Sequence, residues 1–268
     1  MTASAPAPAF AAEAGRLFGL SGRTAFVSGA SSGIGLHVAR LFARAGAAVA
    51  LAARRADRVE AAAEALRAQG HRACAVALDV TRTDTIAPAF DAAEQALGAP
   101  VDLLFNNAGI TLVRRFVDQT DDDIDRVFDT NTKGAMRVAR EAARRMSKIR
   151  RGSIINVAST TALRAGGFMA AYSASKAAVV QFGAVLALEL AGRGIRVNTL
   201  VPGNIATEMQ DAFVHAGFTE EMVRRTPQRR IGDVDELDGA VLLLASDAGR
   251  YMTGAVLTVD GGQTLAWM

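Results

Sequence analysis

From residue 24 onward the apolar positions of this chain fall into two alternating patterns. Short solid runs at 24–27, 47–53, 73–78, 101–105, 153–157, 196–200 and 255–259 are apolar along their whole length and predict strands buried on both faces. Between them, apolar residues recur at three- and four-residue spacing over 34–45, 58–69, 86–97, 121–148, 171–191 and 234–245, which predicts helices. Gly46 and Gly70 stop the first two. Strands that alternate with helices predict a single α/β domain over 19–268, a doubly wound parallel sheet of about seven strands with helices on both faces. In such a sheet a ligand lies outside the carboxyl ends of the strands. Residues 1–18 are Ala/Pro-rich and predict a disordered tail. Residues 204–231 are irregular.

Composition narrows the setting. Half of the 268 residues are hydrophobic, ample for one large core. The single cysteine, Cys74, excludes an internal disulfide, and its apolar run makes it a packed strand residue; a reducing cytoplasm is the expected compartment. The net charge is +3, but the basic residues are mostly arginines spread among acids, with no basic tract interleaved with aromatics, so no nucleic-acid partner is expected. No apolar run reaches the roughly 18 residues of a membrane span, and the start lacks the basic segment of a signal peptide, so no membrane role is expected. No two of the three histidines have ligand spacing, so no metal is expected.

Candidate chemistry collects at the predicted strand ends. Ser28-Gly29-Ala30-Ser31-Ser32-Gly33-Ile34-Gly35 follows the first strand and opens the first helix, where glycines and exposed N–H groups let a pyrophosphate approach. Its spacing is neither the common G-x-G-x-x-G nor a P-loop. Ala53-Arg54-Arg55 ends the second strand. An acid there would bond a ribose 2′-OH, whereas arginine accommodates a 2′-phosphate, so Arg54, with Arg55, points to NADP, with NAD as the alternative. Asp57 is expected to cap the helix that follows. Asp79 and Val80 end the third strand; the carboxylate either accepts from an adenine amino group or caps a turn. Asn106-Asn107-Ala108-Gly109 ends the fourth, its small residues permitting close approach and its asparagines either structural or ligand-facing. Asn131 is a poor mid-helix residue and signals a hydrogen-bonding task or a kink. Ser159 ends the fifth strand, thirteen residues before Tyr172. Tyr172 and Lys176, four apart, share a helix face, and a cation beside a phenol would lower its pKa and make it a proton donor and acceptor.

In this order and spacing the motifs resemble the short-chain dehydrogenase/reductase family over about residues 19–262, on the glycine loop, Asn106-Asn107-Ala108-Gly109, Asn131, Ser159, Tyr172 with Lys176, and Pro202-Gly203. The resemblance implies a Rossmann-type fold and a tetrad of Asn131, Ser159, Tyr172 and Lys176. Ser159 and Tyr172 would hold the substrate oxygen, Tyr172 would exchange its proton, Lys176 would lower the Tyr172 pKa and bind the nicotinamide ribose, and Asn131 would hold a water in a proton relay. It also implies that Pro202, Gly203, Ile205 and Thr207 lie near the carboxamide, and that the protein is a homotetramer. Ser28 replaces the usual threonine, and Ser32 stands where many NADP-using members carry a basic residue.

The expected activity is hydride transfer between a nicotinamide and a ketone or secondary alcohol. Two substrate branches stand open. The basic run of Arg137, Arg140, Arg144, Arg145, Lys148, Arg150 and Arg151 fits a 3-oxoacyl thioester reductase that docks an acyl carrier protein, or else a solvated helix end. The lead-in Leu17-Phe18-Gly19-Leu20-Ser21-Gly22-Arg23 resembles gluconate-type keto-sugar or polyol dehydrogenases. The resemblance implies that the irregular stretch 204–231 is a substrate lid, which Met209, Phe213, His215, Phe218 and Met222 would make amphipathic over the pocket. A dinucleotide-sensing regulator on the same fold is the alternative of another class, set against by the complete tetrad. A dehydratase or epimerase fits less well with the ordinary length and that tetrad.

Overall fold

Side chains alternate along a strand, so a run that is apolar throughout buries one set on each face of the sheet. In this computed structural model, which describes residues 7–208 and 219–265, that is how the sheet is built. The strands are β1 (Thr24–Ser28), β2 (Ala48–Ala53), β3 (Ala73–Ala77), β4 (Leu103–Asn106), β5 (Gly152–Val157), β6 (Ile195–Pro202) and β7 (Val256–Val259). All are parallel, in the order β3-β2-β1-β4-β5-β6-β7. Ala25 and Val27 of β1 face one core with Val49 and Leu51 of β2. Phe26 faces the other with Ala50 and Ala52.

The helices divide accordingly. α1 is Ala7–Phe18, α2 Gly33–Arg44, α3 Ala56–Ala68, α4 Thr83–Leu97, α5 Asp121–Phe128, α6 Ala135–Ile149, α7 Ala170–Leu190, α8 Thr219–Arg225 and α9 Asp238–Ala245. α2, α3 and α9 cover the first core, where Phe42 meets Phe105 edge-on at 6.1 Å. α4, α6 and the end of α7 cover the second, where Phe26 stacks on Phe90 at 4.1 Å. Cys74 is buried in that second core, and desolvation pushes its thiol up to about 11, which leaves it unreactive.

Two expectations are corrected and a third is met. Residues 1–6 lie outside the described residues, but Ala7–Phe18 are helical rather than disordered. Alanine is the best helix former, and Pro8 falls in the first turn, where its missing N–H has no partner to lose. The long helical region over 121–148 is kinked where Asn131 signalled it, by a π-turn at Asp129–Gly134 between α5 and α6. Asp57 lies inside the first turn of α3 rather than at its cap, which is Arg55 and carries no capping side-chain bond. The capping box instead opens α5, where Thr120 and Asp123 bond each other's backbone.

At the amino ends of the strands, Asp102 is buried and ties the sheet together. Its carboxylate pairs with Arg23 Nε at 2.7 Å and Arg151 Nε at 3.0 Å and accepts from Thr24 N at 2.9 Å. α7 with its short 3-10 extension is long and apolar enough, by length and composition, to cross a membrane. In this fold it instead packs along β6 and carries buried Lys176.

Candidate active site

The strand order reverses between β1 and β4, where crossovers leave in opposite directions and open a crevice at the carboxyl ends. Ser28, the last residue of β1, shapes it. Its Oγ accepts from Asn107 N at 3.0 Å and Ala108 N at 3.2 Å, while Asn107 Nδ2 donates to the Ser28 and Gly29 carbonyls at 3.3 Å. Asn106 Nδ2 donates to Asn156 Oδ1 at 3.0 Å and the Ala135 carbonyl at 2.9 Å. These asparagines are therefore structural: they hold two strand ends together. Two glycines make the loop possible. Gly29 has φ +70, and a Cβ on Gly35 would come within 2.5 Å of Asn107 Nδ2 and closer still to the Gly29 carbonyl.

A cleft of about 370 Å³ lies over this loop. Gly29, Ser31, Ser32, Gly33 and Ile34 line it from the first turn, Arg54 and Arg55 from the end of β2, and Asp79 and Val80 from the end of β3. Asn107, Ala108, Gly109 and Thr207 complete it. Gly35 lies behind it. Asp79 Oδ1 accepts from Thr81 N at 3.0 Å and Thr81 Oγ1 at 2.7 Å, so the turn-capping role is occupied. Burial works against the Asp79 charge, but these bonds, with Arg54 nearby, hold its pKa below the usual carboxylate range.

The two arginines differ. Arg55 reaches back over the loop, donating to Ser31 Oγ at 2.9 Å and Ser32 Oγ at 2.7 Å. It also meets Glu208, at 3.4 Å, which Arg58 grips from the other side at 3.0 Å. The Arg54 guanidinium makes no hydrogen bond or ion pair among the described residues and lines the cleft beside Asp79. Thus Arg55 places a guanidinium over the position where Ser32 replaces a basic residue. Glu208 was legible only as part of the lid; its pairing depends on a contact 150 residues away in sequence.

A second cavity, about 410 Å³, shares Ile34, Asn107, Gly109 and Thr207 with the first. Ser159, Tyr172 and Lys176 line it, with Pro202, Gly203 and Ile205 from the end of β6. Ser159 is fixed by Thr161, whose N and Oγ1 donate to its oxygen at 3.3 and 3.2 Å. Lys176 Nζ donates to the Val157 carbonyl at 2.9 Å and stands 6.0 Å from the centroid of the Tyr172 ring. Burial lowers the Lys176 pKa to about 8. Burial also raises the Tyr172 pKa, with a hydrogen bond from the Ser159 side chain drawing it the other way. Desolvation is the larger of these two influences, so Tyr172 keeps its proton. That is the form a proton donor needs.

Asn131 lines neither cavity and is 1% exposed. Its Oδ1 accepts from Ile110 N at 2.8 Å, and its Nδ2 donates to the Ile110 carbonyl at 2.9 Å and to Ser175 Oγ at 3.1 Å. Ser175 Oγ in turn donates to the Tyr172 carbonyl at 2.7 Å. The π-turn thus lets Asn131 lock the segment after Gly109 to the start of α7. Ser175 was missed from sequence because nothing distinguishes it from any serine in a helix.

The site fits a dinucleotide at a point that can be checked. Gly109 lines both cavities, and a Cβ on it would come within 3.2 Å of Asn131 Oδ1 and 3.3 Å of Lys176 Nζ, so a side chain there would crowd the lysine where the two cavities meet. Of the lid residues, Met222 lines the second cavity, while Met209, Phe213, His215 and Phe218 lie outside the described residues. His37 is partly buried and bonds Asp238 at 2.6 Å.

Comparison with known proteins agrees with this geometry. A family model described as enoyl-(acyl carrier protein) reductase matches residues 29–264. Gluconate 5-dehydrogenase of Gluconobacter oxydans (strain 621H) is 38% identical over 251 residues, 93% of this chain and 98% of that protein. The 3-oxoacyl-acyl-carrier-protein reductase of Pseudomonas aeruginosa is 36% identical over 247 residues, 92% of this chain and 99% of that protein. The crystal structure of a gluconate 5-dehydrogenase from Burkholderia cenocepacia J2315, in complex with NADP and tartrate, is 36% identical and superposes with a TM-score of 0.90, over 94% of this chain and 99% of that one.

Proposed function

The chain belongs to the short-chain dehydrogenase/reductase family, and on that premise we propose that it is an NADP-dependent oxidoreductase interconverting a ketone and a secondary alcohol. The observation that carries this reading is the meeting of Ser159, Tyr172 and Lys176 on the wall of one cavity that opens into the glycine-loop cleft. NADP fits the first cleft through Arg54 and Arg55, and the relative from Burkholderia cenocepacia was crystallised with NADP. When bound, the nicotinamide supplies or accepts the hydride.

The chain's own residues do the rest. The Ser159 hydroxyl and the Tyr172 phenol converge on the substrate oxygen. In the reducing direction Tyr172 gives up its proton to that oxygen, and the charged Lys176 stabilises the phenolate left behind. Ser159 keeps the oxygen within reach because Thr161 fixes its rotamer. Asn131 acts at one remove, through Ser175, by setting the start of α7.

The keto-sugar or polyol branch has the stronger support. Of the seven cations on and after α6, Arg137 donates to the Val80 and Thr81 carbonyls, and the partly buried Arg145 is paired with Asp91, Glu94 and Glu141. Arg150 donates to the Gly192 carbonyl and Arg151 pairs with Asp102. Arg140, Arg144 and Lys148 remain along an open groove with Arg193, which keeps a thioester carried on an acidic carrier protein as the second reading. That same groove, with exposed Met136, Val185 and Leu188 nearby, supports assembly of α6 and α7 against a second copy, and we extend the proposal to a homotetramer in the cytoplasm. Light scattering after size exclusion is expected to return four chains.

The test is NADPH consumption over a panel of keto-sugar acids, ketoses, acetoacetyl thioesters and cyclic ketones. Turnover of a keto-sugar acid or ketose is expected, and Tyr172→Phe is expected to lower kcat by ~10²–10⁴ while leaving NADPH affinity unchanged. Cofactor binding with a silent panel would instead indicate a dinucleotide sensor.

A further inference from the structure

The nucleotide cleft holds cations and acids in equal number. Among the described residues four charged side chains line it: Arg54, Arg55, Asp79 and Glu208. Asp79 is occupied in its own turn by Thr81. Glu208 comes from the segment after β6 and meets the cations of another wall, Arg55 Nη1 at 3.4 Å and Arg58 Nη1 at 3.0 Å. A hydrogen bond from the Ser32 side chain, with these two guanidiniums, holds the Glu208 carboxyl below the usual carboxylate range, so it is charged at neutral pH. A phosphate entering the cleft therefore meets an anion beside the group that would bind it.

The geometry at Arg55 makes the two anions rivals. Its Nε and Nη2 donate to Ser31 Oγ at 3.0 and 2.9 Å, and Nη2 also donates to Ser32 Oγ at 2.7 Å. The serines of the glycine loop thus place the guanidinium without help from Glu208. Nη1 is the nitrogen left for an anion, and it is the one that Glu208 meets. That contact is loose, while Arg58, which does not line the cleft, holds the other carboxylate oxygen more closely. All three side chains are about half exposed, so one anion can replace the other without disturbing the core.

Resting on the NADP reading above, we infer that Glu208 is a cofactor-selecting residue that works against the phosphate: its carboxylate competes with the 2′-phosphate for Arg55 Nη1, holds NADP binding below what Arg54 and Arg55 would give alone, and so keeps NAD within the enzyme's range. Repulsion adds to the competition. A carboxylate disfavours a dianionic phosphate beside it, whereas a ribose that keeps its 2′-hydroxyl brings no charge to repel. Arg58 moderates the effect by drawing Glu208 away from Arg55. The cofactor preference of this chain is thus set by three side chains on two walls of the cleft, and not by the end of β2 alone.

The experiment is calorimetric titration with adenosine 2′,5′-bisphosphate and with 5′-AMP, which differ only in the 2′-phosphate. Glu208→Gln is expected to tighten the bisphosphate about three- to tenfold and to leave 5′-AMP unchanged, a gain that shrinks as salt is raised. The NADPH-over-NADH affinity ratio, read by fluorescence titration, is expected to rise by the same factor. Arg58→Ala is expected to weaken the bisphosphate several-fold in the wild-type background and to have little effect in Glu208→Gln, because it acts through Glu208. Weaker bisphosphate binding in Glu208→Gln would mean that Glu208 holds Arg55 for the phosphate, and unchanged binding would mean that it stands too far away to matter; either overturns the inference. Its premise fails separately. Wild-type protein that binds the two nucleotides equally refutes the NADP reading and the inference with it. A wild-type preference for the bisphosphate that Glu208→Gln does not raise keeps that reading and overturns the inference alone.

Discussion

At Lys176 the burial that lowers the side-chain pKa from 10.5 to about 8 sets stability against function. The folded state binds fewer protons than the unfolded chain between pH about 8 and 10.5, so the penalty for this group is complete below about 8 and fades as pH rises toward 10.5. Lys176→Met is expected to raise the unfolding free energy at pH 7 by ~1–3 kcal/mol, less what the orphaned Val157 carbonyl takes back, while abolishing turnover. A urea midpoint that falls would count against it. The same pKa predicts that reduction slows as pH rises through about 8, because Lys176 then loses the charge that stabilises the Tyr172 phenolate. At the other end of the crevice, Arg54→Asp is expected to weaken NADPH binding by ~10–100-fold and leave NADH nearly unaffected, read by fluorescence titration. Arg55→Ala, which removes the guanidinium over Ser31 and Ser32, is expected to act in the same direction. Equal losses for both cofactors would place the 2′-phosphate elsewhere.

Among the elements, the π-turn between α5 and α6 is the one whose shape the tetrad depends on. A continuous helix would turn Asn131 away from Ile110 and Ser175; one extra residue in the turn brings its amide to both. Asn131→Ala is expected to destabilise the fold by ~2 kcal/mol and to lower kcat more than it raises KM, because it loosens the start of α7 without touching either cavity. An unchanged kcat would remove Asn131 from the catalytic unit. The asparagine was visible in the sequence as an odd residue for a helix, and both readings of it, the kink and the hydrogen-bonding task, are met together. Its partners were not visible, since Ile110 and Ser175 lie 21 and 44 residues away.

For the whole molecule, the sheet's amino edge is held by one buried carboxylate. Asp102 serves Arg23, Arg151 and the Thr24 amide, joining residues from the starts of β1, β4 and β5. Burial lowers the Arg23 pKa, and Asp102 is what keeps its charge tolerable there. Asp102→Asn is expected to cost ~3 kcal/mol of stability, seen as an earlier urea midpoint with unchanged NADPH affinity in the folded fraction, because the cofactor binds at the opposite ends of the strands. A loss of affinity in the folded protein would mean that the two edges are coupled.

The sequence by itself determined the seven strands, the helices between them and the motifs that end the strands. Those features are local: a fully apolar run, a glycine after a strand, a tyrosine and a lysine one helical turn apart. Such patterns persist whatever the rest of the chain does. The tertiary structure decided what depends on distance. It joined Arg55 to Ser31, Ser32 and Glu208, turned Asn107 into a brace for the first loop, and brought Ser159, Tyr172 and Lys176 to the wall of one cavity. It also set the balance at Tyr172, where burial, which no spacing reveals, outweighs the hydrogen bond from Ser159. It gave the Ala-rich start a helix as well, one that packs near α9. The residue types at this site are a property of the chain; their pKa values, partners and pairings belong to the folded surroundings that remove water from them.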